Sequence, residues 1–345
     1  MSSQCTVLSV QSADEVSQAV RERAEIGVCG GGTKRGLVAK GDVMLDMRGL
    51  SGITEYDPGE YTFTAQAGTT VREIVETLDR EGQYLPFDPL FIEEGATIGG
   101  TVAAAMNGPG RLRYGGVRDF IIGVRFVDGA GRVLRGGGKV VKNAAGFDFP
   151  KLMVGSLGRL GVMTEMTFKV FPKPEARLTA ACEVHDLPRA VELACQIARG
   201  PFDAEAVELF PPGKVIVRLS GHEAALKPRL DAMRKALGVS FEEAHAPPSI
   251  TPRMVKVPVV PSVVSVLDAR LSDVARRYSV ACNVAFIEWP EGKTLSELDS
   301  LLASLQLGGI AMNGDRAWLG KRTGLEFLRR VKAALDPANT FGVIE

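Results

Sequence analysis

Three stretches poor in side chains are the part of this sequence most able to do chemistry. Gly30-Gly31-Gly32-Thr33-Lys34 offers consecutive backbone amides, a hydroxyl from Thr33 and a charge from Lys34. Gly95-Ala96-Thr97-Ile98-Gly99-Gly100 runs into Thr101-Val102-Ala103-Ala104-Ala105-Met106-Asn107-Gly108, small residues that Gly99 and Gly100 would open as a helix. Gly155-Ser156-Leu157-Gly158-Arg159-Leu160-Gly161-Val162 leads directly into a strand. The chemistry they share is anion binding. A phosphate or diphosphate is held by several main-chain N–H groups aimed one way, and glycine lets the chain bend and approach closely enough. A helix start adds unpaired N–H groups and a positive dipole end. Each stretch alone reads as a turn or as tight packing, whereas three in this order point to one diphosphate.

Rival chemistries have less support. No strict G-x-G-x-x-G occurs, so the dinucleotide fingerprint of doubly wound folds is missing. Gly292-Lys293-Thr294 has the tail of a phosphate-binding P-loop, but Ile287 stands where its first glycine belongs. Cys5, Cys29, Cys182, Cys195 and Cys282 show no C-x-x-C spacing, which argues against a zinc or iron–sulfur site and for reduced thiols. His185, His222 and His245 share no metal-ligand spacing and read as solvated surface residues. Lys+Arg and Asp+Glu are both 41, giving zero net charge and no sign of a nucleic-acid partner. The stretch Val255 to Leu267 is the most apolar, but Pro258 and Pro261 break it and it is too short to span a bilayer. Met1 to Gln11 lacks the pattern of a secretory signal. A cytoplasmic protein is expected.

The elements that must hold the glycine stretches can be read from spacing. Ser12-Ala13-Asp14-Glu15 is a capping box ahead of Val16, Ala19 and Val20, with Ala24 one turn on. Ile26 to Cys29 reads as a short buried strand delivering the first glycine loop, and Val43 to Asp46 as the next strand. Tyr61 to Ala67 alternates as a strand does. Thr70 to Glu73 caps a helix through Ile74, Val75 and Leu78 that stops near Gly82. Phe120 to Val127 and Arg132 to Leu134 read as a hairpin, and Val162 to Phe171 as a strand. Beyond Arg177, strands and helices alternate as in an antiparallel sheet with helices on one face. No short-period repeat is visible. Glycine thins out after Gly161, and Pro172 and Pro174 mark the shift. The expectation is an α+β protein.

The order Cys29-Gly-Gly-Gly-Thr-Lys-Arg, Leu85-Pro-Phe-Asp-Pro, Ala96-Thr-Ile-Gly-Gly-Thr-Val-Ala, Arg113-Tyr-Gly-Gly-Val-Arg-Asp, Lys142-Asn-Ala-Ala-Gly-Phe-Asp and Gly155-Ser-Leu-Gly-Arg-Leu-Gly-Val-Met-Thr-Glu resembles a known family. It is that of FAD-linked 2-hydroxyacid oxidases and dehydrogenases of the vanillyl-alcohol-oxidase type, the small FAD-binding subunits of glycolate oxidases among them. The resemblance implies a two-subdomain PCMH-type FAD-binding domain over 1–174 and a smaller α+β cap domain with an antiparallel sheet over 175–325. It further implies a segment, 326–345, that returns to the flavin domain.

Residue by residue, the resemblance puts Gly30, Gly31, Gly32 and Thr33 on the FAD pyrophosphate, with Lys34 adding charge. It puts Thr97, Gly99 and Gly100 at the pyrophosphate or the flavin ring edge, Asn107 and Asp119 near the cofactor, and Gly161 and Val162 at the adenine. The cofactor is expected to be non-covalent: the first half has no histidine, and Cys29 reads as a buried strand end. The implied role is that of an FAD-binding subunit in a glycolate oxidase-like complex. Its partners would be a larger FAD-containing catalytic subunit and an iron–sulfur subunit, and the complex would lie at the periphery of the inner membrane. The alternative is a non-catalytic assembly subunit with a flavin-type fold. Catalytic residues are not identified. Lys142, Arg113 and Arg118 could hold an anion, but salt-bridged structural roles fit them better.

Overall fold

The computed structural model describes residues 5–23, 25–138, 147–251 and 253–344; Ala24, Lys142 and Asn143 lie outside them. The first half is built on two small sheets. One is parallel, with Val43–Asp46 between Thr6–Ser9 and Ile26–Cys29. Parallel strands need a crossover, and the helix Ala13–Glu22 supplies it between Thr6–Ser9 and Ile26–Cys29, which flank Val43–Asp46. Ser12 starts that helix by accepting from the Glu15 amide at 3.1 Å. Val16, Ala19 and Val20 form its buried stripe.

The second sheet is antiparallel, in the order Ile53–Asp57, Thr62–Gln66, Val162–Lys169, Ile121–Val127, Val133–Gly137. Its inward face carries Phe63, Phe126 and Phe168, all fully buried, and the buried Phe87 ring lies 6.5 Å from that of Phe168. Phe63 and Phe168 stack at 5.3 Å between centroids. Burying each such ring contributes about 1.5–3 kcal/mol. The helix Val71–Arg80 closes the core with Val71, Ile74 and Leu78.

The second half forms one nine-stranded antiparallel sheet, and its strand order exposes an internal duplication that the sequence does not show. The chain runs strand–helix–strand–strand–helix–strand twice, over 176–243 and again over 254–311. The first unit is ordered Glu242–Glu243, Ala176–Glu183, Lys214–Gly221, Ala206–Phe210. The second continues in reverse order as Arg276–Ser279, Val284–Glu288, Met254–Pro258, Gly308–Ala311, and Trp318–Gly320 is added at the edge. The two units therefore meet through their second strands, where Leu209 pairs with Tyr278.

Side chains along these strands alternate with period two. Val207, Leu209, Val215, Val217, Leu219, Val255, Val257 and Tyr278 join the helices Leu187–Arg199, Glu223–Leu237, Pro261–Asp268 and Leu295–Ser304 in a second core. The other residues of the same strands, among them Glu208, Arg218, Lys256 and Arg277, belong to the opposite face, towards the first half. All four are charged; Glu208, Lys256 and Arg277 are fully buried, and the Arg218 side chain keeps about a quarter of its surface exposed. Lys256 donates to the Ala105 carbonyl at 2.8 Å, and Tyr114 and Ser220 hydroxyls lie 3.4 Å apart.

The helix Leu325–Leu335 brings the chain back to the first half. The Ile26 amide donates to the Thr340 carbonyl at 2.7 Å and the Gly129 amide to the Leu335 carbonyl at 2.8 Å. Among the described residues no helix is long and apolar enough to cross a membrane.

Candidate cofactor site

The strand Ile26–Cys29 ends in the Gly30–Lys34 loop, at the carboxyl end of a parallel sheet, where ligands of such sheets collect. The loop forms one wall of a cleft of about 720 Å³, counting the part open to solvent. The opposite walls are Thr97, Gly99, Gly100, Ala103 and Ala104 from the helix Ile98–Ala103 and its cap, and Leu157, Gly158 and Gly161 from the third glycine stretch. All three stretches singled out in the sequence thus border one cavity.

The first stretch is pressed against the second. A Cβ at Gly30 would come within 2.2 Å of the Thr97 hydroxyl, and one at Gly31 within 1.9 Å of the Gly95 carbonyl oxygen. Only glycine fits there. Among the described residues, none accepts from the amides of Gly30, Gly31 or Thr33. A row of main-chain donors without protein acceptors is what a diphosphate satisfies.

The helix start differs from the sequence expectation. The Ile98 amide donates to the Thr69 carbonyl, Gly99 to Ala67 and Thr101 to Thr97, each at 2.9 Å. The Gly100 amide donates to the Thr97 hydroxyl at 3.3 Å. The first turn is therefore already bonded, and the glycines serve another purpose: Gly99 lets the helix lie against Ala67, whose carbonyl would be 2.8 Å from an added Cβ. This element supplies a wall of small residues, and the amides come from the loop.

Among the described residues, Lys34 is the only basic one lining the cleft. It is 8% exposed, and its ammonium group donates to the Thr33 hydroxyl at 2.9 Å and lies 5.3 Å from the Phe91 centroid. Burial lowers its pKa to about 8, against a small opposing pull from Cys29 and Glu94. An anion beside Lys34 favours the charged form, so binding takes up a proton wherever the free protein has lost it. Affinity for a diphosphate ligand should be flat well below pH 8 and fall above it by up to about tenfold per pH unit. Lys34→Met should bind about ten- to a hundredfold more weakly and lose that slope, since a hydrogen bond to a charged group is worth about 1.5–3 kcal/mol. Fluorescence titrations with FAD from neutral to alkaline pH test both outcomes.

Other residues named from the sequence lie elsewhere. Asn107 does not line the cleft: its side chain accepts from the Val117 amide at 2.5 Å and donates to the Ala105 carbonyl at 2.8 Å, holding two loops together. Asp119 accepts from the Gly116 amide at 2.8 Å and is likewise outside. Val162 is buried, with its backbone paired to Val127, and only its neighbour Gly161 reaches the cleft. Arg113 is tied to Asp203 at 2.5 Å. Cys29 does line the cleft; burial first, then Asp46, raises its pKa, so the thiol stays protonated. His185, His222 and His245 are exposed on the second half. Val28, Met47 and Met163 also line the cleft, and the sequence reading missed them because apolar strand residues carry no local signal of facing a ligand.

A cleft of small residues, with free amides at one end and buried Lys34 beside them, defines a dinucleotide-binding protein. Residues 6–137 match the FAD binding domain family. The chain therefore carries an FAD binding domain, and its cofactor is FAD. It is 39% identical over 227 residues to glycolate oxidase subunit GlcE of Escherichia coli, covering 65% of this chain and 63% of that protein. It is 33% identical over 158 residues to glycolate oxidase subunit GlcD of Bacillus subtilis, covering 46% and 33%. The chain thus spans less than two thirds of each of these relatives. In fold it is similar to an alkyldihydroxyacetonephosphate synthase, with a TM-score of 0.73 at 17% identity over 98% of this chain and 77% of the other.

Proposed function

We propose that this chain is the FAD-binding subunit of a complex that oxidises glycolate or a similar 2-hydroxy acid. The observation that carries this is the set of acceptor-free amides at Gly30, Gly31 and Thr33 beside buried Lys34. They would hold the pyrophosphate, Thr97, Gly99 and Gly100 would flank it, and Gly161 would border the adenine end. Bound there, FAD would supply two-electron redox chemistry. The chain's own part is to grip the diphosphate and keep water from it with Val28, Leu37, Val38 and the two methionines. We assign 1–174 to the flavin domain, 175–325 to the cap and 326–345 to the returning segment.

Oxidation of a hydroxy acid needs a base for the hydroxyl proton. Among the described residues, the cleft lining offers only Cys29 and Lys34 as titrating side chains, one held protonated and the other suited to phosphate. This supports a division of labour: the chain holds FAD non-covalently, and a larger FAD-containing subunit, with an iron–sulfur subunit, completes the reaction. Co-purification from the native source, with flavin spectra before and after adding glycolate, tests it. The expected result is a yellow multi-subunit complex that bleaches on glycolate, while the isolated chain is yellow and does not bleach. A colourless chain that ignores added FAD would sink the proposal.

A further inference from the structure

A second cleft lies between the loop 84–94 of the first half and the charged face of the nine-stranded sheet, and it shares no lining residue with the flavin cleft. Phe91 lines this second cleft and its ring carries Lys34, so the loop is the partition between the two. Three arginines of the sheet line the second cleft: Arg177, Arg218 and Arg277.

An arginine receives a carboxylate best along the edge that carries Nε and Nη2, where two parallel N–H groups match two oxygens. In the other two arginines of the cleft, and in Arg276 beside Arg277 in the chain, that edge is filled. Arg177 gives it to Glu205 at 3.1 and 3.0 Å, and Arg276, outside the cleft, gives it to Asp268 at 2.6 and 2.7 Å. Arg218 divides it between Glu205, at 3.1 Å, and Asp88. Arg277 is the exception. It is 3% exposed, and neither Nε nor Nη2 has a hydrogen-bond partner among the described residues.

None of the remaining hydrogen bonds and ion pairs of Arg277 uses that edge. Its Nη1 donates to the Pro248 carbonyl at 2.7 Å and lies 3.5 Å from Glu208. Its carbon centre stands 5.7 Å from the Phe210 ring centroid. Glu208 is one weakly placed carboxylate across the seam where the two sheet units meet. A buried guanidinium with an open fork is costly unless something fills it.

We propose that Arg277 is the anchor of a second ligand site, separate from the flavin, that takes a small organic carboxylate on its Nε–Nη2 edge. Ile92, Ile216 and Ile250 line the same cleft and give a short apolar body a surface to rest on. A planar two-oxygen group fits the fork. A neutral amide of the same shape does not, because it presents one acceptor and a competing donor pair.

The test uses the FAD-loaded protein and saturation-transfer NMR with propionate, propionamide and inorganic phosphate as probes. Propionate should bind and propionamide should not. Arg277→Lys keeps the charge and loses the fork, and should weaken propionate about tenfold or more. Glu208→Gln removes the competing carboxylate and should tighten propionate severalfold; this variant keeps the proposal testable if the arginine variant misfolds. Equal binding of propionate and propionamide, unchanged affinity in both variants, or a preference for phosphate over propionate would each overturn it. No readout is a redox signal, so the outcome is independent of the function proposed for the flavin cleft.

Discussion

Gly31→Ala should cost the protein most of its affinity for FAD while leaving the fold in place. The added methyl would sit 1.9 Å from the Gly95 carbonyl oxygen, a backbone atom that cannot swing aside. Neither loop has slack. Gly95 lies at a φ of 82° and donates to the Ile92 carbonyl, and Ala96 donates to the Phe91 carbonyl at 2.9 Å. The first loop is anchored by Cys29, paired in register with Asp46. The loops must therefore part by an ångström or more, and the amides of Gly30, Gly31 and Thr33 move with them.

Overpacking of this kind costs about 1–3 kcal/mol, and misaligned donors forfeit hydrogen bonds to a charged group worth about 1.5–3 kcal/mol. Together they should weaken FAD by about a hundredfold or more. Gly32→Ala is the comparison: nothing lies within 3.7 Å of its Cβ, but its φ is 69°. The left-handed backbone alone costs about 1–2 kcal/mol, so the loss should be smaller. Flavin fluorescence titration reads both, and far-ultraviolet circular dichroism checks the fold. An alanine at position 31 that binds FAD as the parent does would remove the loop from the site.

What could be read in advance depended on how local the cause was. Ser12 and Thr70 accept from Glu15 and Glu73 at 3.1 and 3.2 Å, as the capping spacings require, because a cap involves only four residues. The strand ahead of the glycine loop was legible for the same reason. The occupied amides of the small-residue helix were not, since their acceptors, Ala67 and Thr69, come from a loop some thirty positions earlier. Asn107 and Asp119 look like ligand residues in a motif, yet Asn107 spends its side chain on the Val117 amide of the next loop and Asp119 on the Gly116 amide of its own turn. The duplicated sheet stayed hidden because each unit is specified by alternation alone, which many sequences satisfy. Nothing local marks Glu208, Lys256 and Arg277 as buried charges, because what covers them is the first half of the chain, far away in sequence.

Asp336→Ala should destabilise the whole first half, by about 3–5 kcal/mol, because it breaks a buried ion pair from one side only. Asp336 is fully buried and Lys332 is 3% exposed. The Asp336 carboxylate accepts from the Lys332 ammonium at 2.5 Å and from the Thr340 and Phe341 amides at 2.9 Å each. Removing it leaves a buried cation whose remaining acceptor among the described residues is the Arg159 carbonyl, at 2.7 Å, together with two amides without their partner. The damage reaches the cofactor through two contacts. Arg159 stands between Gly158 and Gly161, which line the cleft, and Thr340 receives the amide of Ile26, which starts the strand leading to the glycine loop. Urea unfolding followed by circular dichroism should show the lower midpoint, and FAD affinity should fall with it. Lys332→Met combined with Asp336→Ala should recover part of the loss, since it no longer strands a charge, although the two amides stay unpaired. If the double variant is as unstable as the sum of the single ones, the pair is not coupled. The returning segment would then be held by Phe341 and the backbone bonds to Ile26 and Gly129, and the carboxylate would be a cap for the last turn and nothing more.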